Sequence, residues 1–382
     1  MSLLINSKAP KAITIGGKAV KSLSINGDVV WRNEPDYFYF EDRSGAANTI
    51  SMGSVYAGTT DEWLALEYST DKETWTSWDF TQSISLAANS KVYFRGNNTK
   101  FSVSSGSYHY FESTGDVYAG GSVISLFDKT VPLTKNSNDT MFAFMFNNMT
   151  HLVGVDRNLF AGINYGTTGN WRDTTNIFYR TFSACRALVT PPDLSGLHYA
   201  KGSTFRETFN SCSSLISAAP MNVTDIDTSK TDHFRSMYWR CTSLTDASPM
   251  HVTFDTAGQY TFYQMFMTCS SLVTIPDISS ITTVGNQSMY RMFYGCTSLT
   301  VPPNLSNVTT VGTGSFSECF SGCSSLAVAY TPDISTWDTT VFDNWLMNVA
   351  ASGTLYADAS ISSSIPTNNN SGCPSGWTVV NL

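Results

Sequence analysis

A cysteine recurs at nearly constant intervals along the second half of this chain of 382 residues. Each follows an aromatic residue by three places and precedes a leucine by three places, as in RMFYGCTSL, residues 291–299. The six cysteines are Cys185, Cys212, Cys241, Cys269, Cys296 and Cys323, separated by 27, 29, 28, 27 and 27 residues. A steady period in the range of about 20–50 residues is the signature of a solenoid of stacked repeats.

Two weaker copies of the motif flank this array and indicate what the cysteine position requires. Met149 occupies it in FMFNNMTHL and Val349 in NWLMNVAAS. Because methionine and valine replace cysteine, the position needs a small or medium apolar side chain, which free cysteine often is. We therefore predict reduced thiols packed in a ladder. The other predicted members of the repeat core are Phe182, Phe209, Phe266, Phe293, Phe320, Leu215, Leu244, Leu272, Leu299 and Leu326.

Each repeat is predicted to contain a short helix and a strand. In residues 289–296 the apolar side chains fall at i, i+3, i+4 and i+7, which is the stripe of a helical turn. Residues 299–305 carry further apolar side chains and two prolines, consistent with a strand followed by a turn. Such a unit cannot bury its own apolar face, so neighbouring repeats must stack. The predicted solenoid covers residues 137–350.

The N-terminal residues 1–33 contain a small internal duplication. KAITIGGKAV is followed directly by KSLSINGDVVW, which aligns Gly16-Gly17 with Asn26-Gly27. Alternating apolar residues around Gly-Gly and Asn-Gly predict two consecutive β-hairpins. A sheet this small is marginal alone. We therefore expect it to dock on the next domain, on a copy of itself or on a partner.

Residues 37–130 are predicted to form an antiparallel β-sandwich. Runs such as YFYFE and KVYFRG are rich in aromatic and β-branched residues and are separated by turn-forming residues. Trp63, Trp75 and Trp78 are candidate platforms for sugars, but a place in the core of a small sandwich is the favoured interpretation. Residues 351–382 break the period, and GWTVV near their end predicts a closing strand in a C-terminal cap.

Charge and composition exclude several classes of protein. The net charge is −8 and no basic cluster is apparent, which argues against nucleic-acid binding. No run approaches 18 apolar residues, so no membrane insertion is expected. The first residues lack the long apolar run of a secretory signal, which predicts synthesis and folding in a cytoplasm. No cysteine pair has the spacing of a zinc site, and no metal or cofactor is predicted.

No enzyme is expected from these residues. Asp225 and Asp227 are the nearest hint of paired carboxylates for glycoside hydrolysis, but loop acids of this kind usually cap turns. The five histidines are scattered, and His233 is expected to be solvated. A catalytic triad assembles in space, so spacing alone does not test it. The repeat cysteines have a better explanation in the ladder, where burial makes a thiol a poor nucleophile.

The repeat MYRMFYGCTSLTVPPNLSNVTTVG resembles the BspA-like leucine-rich repeat, and the resemblance covers about residues 137–350. LEYSTDKETWTSW and KVYFRGNNTKFS are similar to a module that precedes these repeats in proteins of gut Bacteroidales and their phages. GCPSGWTVVN is similar to the family's usual terminus, with Cys373 in place of an aliphatic residue. ITIGGKAVKSLSINGDVVW resembles a short N-terminal module of phage virion proteins. The family implies adhesion and partner recognition, without catalytic residues.

These observations predict a bacteriophage virion structural protein, a fibre or decoration of head or tail. Its N-terminus would anchor to other virion proteins, and its leucine-rich-repeat surface would recognise a polysaccharide or protein of the host surface. A homotrimer, as in many fibres, is a further expectation. One alternative is a bacterial surface adhesin. The second is a purely architectural component of capsid or collar.

Overall fold

The computed structural model describes residues 13–15, 18–20, 22–25, 28–32, 37–55, 64–98, 108–127, 142–161 and 176–382. Within these ranges the chain forms β-strands, turns and two short 3-10 helices, at Val123–Leu126 and Ser362–Ser364, and no α-helix. The fold is therefore β-rich, as the sequence predicts.

Two strand pairs lie where the sequence predicts the N-terminal hairpins. β1 (Ile13–Ile15) pairs antiparallel with β2 (Lys18–Val20), and β3 (Ser22–Ile25) pairs antiparallel with β4 (Asp28–Arg32). The predicted turns, Gly16-Gly17 and Asn26-Gly27, lie outside the described residues.

The next unit is a two-sheet sandwich. Its strands are β5 (Phe38–Asp42), β6 (Asn48–Val55), β7 (Leu66–Ser69), β8 (Thr76–Trp78), β9 (Ile84–Leu86), β10 (Lys91–Gly96), β11 (Tyr108–Ser113) and β12 (Val117–Gly120). One sheet contains β12-β5-β10-β7-β8 and the other β11-β6-β9. Phe111 of the smaller sheet packs on Phe38 and Phe40 of the larger, with ring centroids 5.5 and 5.1 Å apart. Trp78 is buried in this core, whereas Trp75 lies partly exposed beneath Arg95, and Trp63 lies outside the described residues.

The sandwich and the repeats share one sheet and one core. β13 (Leu152–Val155), which follows the first weak copy of the motif, pairs in parallel with β12. The amide of Phe111 donates to the carbonyl of Met145 at 2.9 Å, and the ring of Phe146 lies 6.2 Å from that of Phe111. The first repeat is thus covered by the sandwich.

The repeats form a β-solenoid of about 7 turns, here called rungs. Its short strands pair in parallel from rung to rung: β14 (Tyr199–Ala200), β15 (Met221–Val223), β16 (Asp225–Ile226), β17 (Met250–Val252), β18 (Thr256–Ala257), β19 (Thr283–Val284) and β20 (Thr310–Val311). The predicted short helix of each repeat is wrong, and with it the leucine-rich-repeat arrangement of helix plus strand.

A chain of four-residue turns stands in place of that helix. In the rung that contains Cys296, the left-handed backbone conformation recurs at every fourth residue, at Gln287 (φ 49°), Arg291 (φ 51°) and Gly295 (φ 70°). A left-handed residue ends an α-helix because its φ has the opposite sign. Side chains four residues apart still share one face, so this chain of turns gives the same apolar spacing as a helix.

Backbone hydrogen bonds explain why the chain of turns is stable. The amide of Met292 donates within the rung to the carbonyl of Met289, three residues earlier, at 3.1 Å. The amides of Met289 and Phe293 donate instead to the next rung, to the carbonyls of Ser315 and Cys319, each at 2.9 Å. Alternate amides therefore bond within and between rungs. Buried backbone groups must be paired, and stacking meets that requirement without an α-helix.

The last sheet closes the solenoid. It contains β21 (Val328–Tyr330), β22 (Gly353–Ala357) and β23 (Trp377–Asn381), all parallel. The closing strand predicted around GWTVV is present as β23. Its Trp377 indole donates to the carbonyl of Ala350 at 2.7 Å. Cys373 and Ile361 are buried under this end of the rod.

Candidate functional site

The repeat cysteines form a ladder inside the solenoid. All the core residues that the sequence predicts are buried. Each repeat cysteine also donates a hydrogen bond from its thiol to a backbone carbonyl of the preceding rung. Cys269 bonds to Tyr238 at 3.0 Å, Cys296 to Phe266 at 3.2 Å and Cys323 to Phe293 at 3.0 Å. The sequence did not reveal these bonds.

Burial makes the ladder chemically inert. All eight cysteines are free and buried. Burial raises the pKa of the Cys323 thiol to about 12 and raises the pKa values of Cys212 and Cys296 well above the usual range. The thiolate is the nucleophile, so a thiol held in this state does not act as one at neutral pH. The ladder is a packing element.

Aromatic rings three residues before each cysteine stack along the same axis. Phe266 and Phe293 have centroids 5.6 Å apart with an angle of 7° between planes, and Phe293 and Phe320 are also 5.6 Å apart. Tyr238 takes the aromatic position in its rung, and its hydroxyl accepts a hydrogen bond from the amide of Ala219 at 3.0 Å. A parallel stack of rings thus runs through the rungs beside the cysteine ladder.

The two acidic residues considered for catalysis lie in different surroundings. Asp227 accepts hydrogen bonds from the amide and the hydroxyl of Ser229, at 3.0 and 2.6 Å, and these bonds lower the pKa of its carboxyl. It caps a turn. Asp225 lies exposed on β16.

His233 is buried, contrary to the expectation of a solvated side chain. Its Nε2 lies 3.1 Å from the carbonyl of Asp227 and its Nδ1 lies 3.4 Å from the hydroxyl of Thr261. Burial lowers the pKa of His233 to about 4. In other rungs Thr204, Ser288 and Ser315 occupy this buried position. The histidine therefore belongs to a column of buried polar side chains that the sequence did not reveal.

The remaining histidines do not converge. His109 is buried in the sandwich, His151 pairs with Asp116 at 3.0 Å, and His198 contacts the carbonyl of Asn222. His251 is exposed. Across the described ranges no group of three or more His, Cys, Asp or Glu side chains is placed to hold a metal ion.

In the part of the chain that the structure describes, no helix has the length and apolar character of a membrane span.

The outer side of the turn chains carries a surface that we call the arginine–aromatic face. It is formed by five positions of each rung, which lie nine, six, five, two and one residues before the repeat cysteine. Only the side chains at these positions that are exposed or half-buried belong to it. Its basic and aromatic members are Tyr179, Arg180, Arg206, Arg235, Trp239, Arg240, Tyr260, Tyr263, Tyr290, Arg291 and Tyr294. Its acidic members are Glu207, Asp232 and Glu318.

The arginines of this face are held by rings and by carboxylates. Arg235 lies over the ring of Tyr263 at 4.7 Å and pairs with Asp232 at 3.1 Å. Arg291 lies over Tyr290 at 5.0 Å and pairs with Glu318 of the next rung at 2.8 Å.

Arg180 and Arg206 share a carboxylate of the rung that contains Cys212. They pair with Glu207 at 2.7 and 3.2 Å, and both lie over the ring of Tyr179. The ion pairs are half-exposed, where each is worth at most about 1 kcal/mol. Their effect is to fix where the guanidinium groups point.

This face was missed because the arginines are far apart in sequence. The signal that reveals it is their register: Arg180 and Arg291 lie five residues before a repeat cysteine, Arg206 and Arg235 six, and Arg240 one. The arginines are scattered along the sequence, where no basic cluster is seen. Stacking of the rungs nevertheless brings them together on one face.

Fold and surface define a class: a β-solenoid protein whose rungs share a core and differ on an outward face. Residues 203–337, within the solenoid, match the model of a family described as Mycoplasma protein of unknown function, DUF285. No curated protein and no solved structure matches the chain.

Proposed function

We propose that this chain is a structural protein of a phage particle, a fibre or decoration of head or tail, that displays its solenoid for recognition of the host surface. The N-terminal hairpins serve as the anchor to other virion proteins. The sandwich is the spacer between anchor and solenoid. No catalytic step is assigned to the chain.

The observation that carries this proposal is the contrast between inner and outer positions. Across the six rungs the inner position three residues before the cysteine is always aromatic, and the one three residues after it is always leucine. The position six residues before the cysteine faces outward in the first five of these rungs and holds Tyr179, Arg206, Arg235, Tyr263 and Tyr290 in turn. In the sixth rung it holds a buried serine, Ser317. A uniform core with a varied exterior suits display, because outward side chains change without disturbing the stack.

The covered first rung also supports a display role. Because β13 extends the sheet of the sandwich through β12, the solenoid is held by its base rather than by a free linker. A recognition surface carried in many copies on a particle gains affinity through avidity even where each site is weak.

A bacterial surface adhesin is the second candidate, because the same uniform core and varied exterior serve a cell-bound protein. A third is a purely architectural piece of capsid or collar, for which the inner ladder alone suffices.

Deletion of residues 176–382 from the chain carried by the particle, which leaves β13 and Phe146 in place on the sandwich, distinguishes these functions. Recognition predicts that particles assemble normally and attach poorly to host cells. Normal attachment by particles that lack the solenoid would sink the recognition role. Failed assembly would favour the architectural one.

A further inference from the structure

The charges of the solenoid are divided between its faces. Within residues 176–326 the arginine–aromatic face carries five arginines and three acidic residues. The remaining surface of the same residues carries three basic and six acidic residues. In a chain with a net charge of −8, this face is the place on the solenoid where positive charge exceeds negative. Such a face attracts anionic partners.

The arginines are arranged along the rod rather than around a pocket. Arg180, Arg206 and Arg235 lie on successive rungs, and the stacked rings of neighbouring rungs are 5.0–6.0 Å apart. Arg291 continues the row two rungs beyond Arg235. A partner that meets these groups together is therefore linear, with acidic groups that recur at intervals of about one rung or a small multiple of it.

Arg240, on the same rung as Arg235, is the arginine of the face best placed to take a new partner. It is exposed, and its guanidinium lies 4.8 Å from the ring centre of Trp239. Within the described ranges no carboxylate lies in ion-pair range of Arg240. The guanidinium is thus open to solvent beside the indole ring, and a guanidinium fork matches a carboxylate with two parallel hydrogen bonds.

The acids in the row distinguish among linear polyanions. Glu207, Asp232 and Glu318 interrupt the arginines, which disfavours a nucleic acid, whose duplex carries a charge about every 1.7 Å. A polymer with sparse charges and many hydroxyls fits better. The tyrosine hydroxyls and carboxylates of the face then hydrogen-bond the uncharged groups between charges.

We propose that the arginine–aromatic face binds a linear polysaccharide that carries carboxylate groups at regular intervals, as in chains of uronic acids. This inference rests on the proposed display function and names the class of ligand that the displayed face takes. Arg235 and Arg240 bind carboxylates, and the tyrosines bind hydroxyls.

The test is affinity electrophoresis of the purified full chain in gels that contain polygalacturonate. The expected result is retardation of the protein, weakened by salt because the contacts are charge-dependent. The double variant Arg235→Gln/Arg240→Gln is expected to lose about tenfold or more in affinity, as for the removal of charged hydrogen bonds.

Arg157→Gln is the matched control. Arg157 is an exposed arginine of the solenoid that pairs with Asp193 at 3.1 Å, outside the arginine–aromatic face. Its replacement is expected to leave retardation unchanged. Equal loss in the control and in the double variant would overturn the assignment of the face. Thermal melts of all three proteins exclude unfolding as the cause.

Two further outcomes overturn the proposal. Absence of retardation by polygalacturonate would remove this ligand class. Equal retardation by poly-glutamate would indicate an acidic protein as the partner instead. Because the assay uses a soluble polymer and the purified chain, either failure is separate from a failure of particle attachment, which the solenoid deletion measures.

Discussion

The thiol of Cys323 donates a hydrogen bond to the carbonyl of Phe293, 30 residues earlier, over 3.0 Å. That carbonyl also accepts from the amide of Cys296, three residues later in its own rung. One acceptor therefore ties a turn together and joins it to the next rung. This bond accounts for a preference for cysteine that apolar packing alone does not explain, since methionine and valine lack the donor.

Phe293→Ala and Cys296→Ala separate packing from the equivalent hydrogen bond one rung earlier, in which the thiol of Cys296 donates to the carbonyl of Phe266 at 3.2 Å. Loss of the buried ring between Phe266 and Phe320 is expected to lower the free energy of unfolding by about 3–5 kcal/mol. Loss of the thiol removes a weak donor and little volume, and is expected to lower it by only about 1 kcal/mol. Denaturant unfolding measures both. Equal tolerance of the two changes would show that the core assignment is wrong.

Gly295→Thr tests the chain of left-handed turns. Gly295 has a φ of +70°, and the same position of the preceding rung holds Thr268 with a φ of 59°. An added Cβ would meet its nearest neighbour, the Thr268 side chain, at 3.4 Å, which is an ordinary van der Waals contact. The left-handed conformation itself is expected to lower the free energy of unfolding by about 1–2 kcal/mol. The reverse change, Thr268→Gly, is expected to raise the free energy of unfolding. An unchanged melting temperature for Gly295→Thr would contradict the turn geometry.

Tyr238→Phe tests why one rung uses tyrosine in the aromatic ladder. The ring is retained, but the buried amide of Ala219 loses its acceptor. A buried donor left unpaired costs about 1–3 kcal/mol. Tyr290→Phe, which removes a partly exposed hydroxyl 3.3 Å from Glu318, is the control and is expected to change stability by less than about 0.5 kcal/mol. Similar effects of the two changes would remove the role assigned to the Tyr238 hydroxyl.

His233 makes stability depend on pH between about 4 and 6.5. Burial lowers its pKa from 6.5 to about 4, so in this interval the unfolded chain binds a proton that the folded chain does not. The contribution of His233 to the free energy of unfolding is complete above pH 6.5. It falls by about 3 kcal/mol as the pH drops toward 4.

His233→Thr places at this site the residue found at the same position in two other rungs, Thr204 and Thr261. Its absolute stability is expected to fall because a smaller side chain leaves a cavity. The informative quantity is the change in the free energy of unfolding with pH. Between pH 6.5 and 4 this free energy should fall by about 3 kcal/mol less in the variant than in the unmodified chain. Parallel pH profiles from urea unfolding would show that His233 is not the group responsible.

The sequence predicts the solenoid, its period and its core from the spacing of Cys296 and its counterparts, because an apolar ladder must repeat wherever rungs stack. It also predicts the hairpin strands, the sandwich and the closing strand β23. The prediction of a helix was wrong because a chain of four-residue turns places Met289, Met292 and Phe293 on one face just as a helix does. In the last two of these rungs the glycines Gly295, Gly314 and Gly322 signal the left-handed positions.

The outward face was beyond the reach of linear inspection. Arg180 and Arg291 are more than one hundred residues apart in the chain, and only the register of the rungs places them in one row. The burial of His233 was missed for a related reason. Its neighbours in space, Thr204 and Thr261, belong to other rungs, so no local pattern distinguishes it from a surface histidine.

The central claim, a virion component that displays a solenoid, is tested most directly by density-gradient fractionation of the source culture, with the intact chain followed by mass spectrometry. We predict that the chain sediments with DNA-filled particles and retains its N-terminal residues. Recovery in the cell envelope with a trimmed N-terminus would contradict the claim, would make the chain a bacterial adhesin, and would remove the anchoring role of residues 1–33.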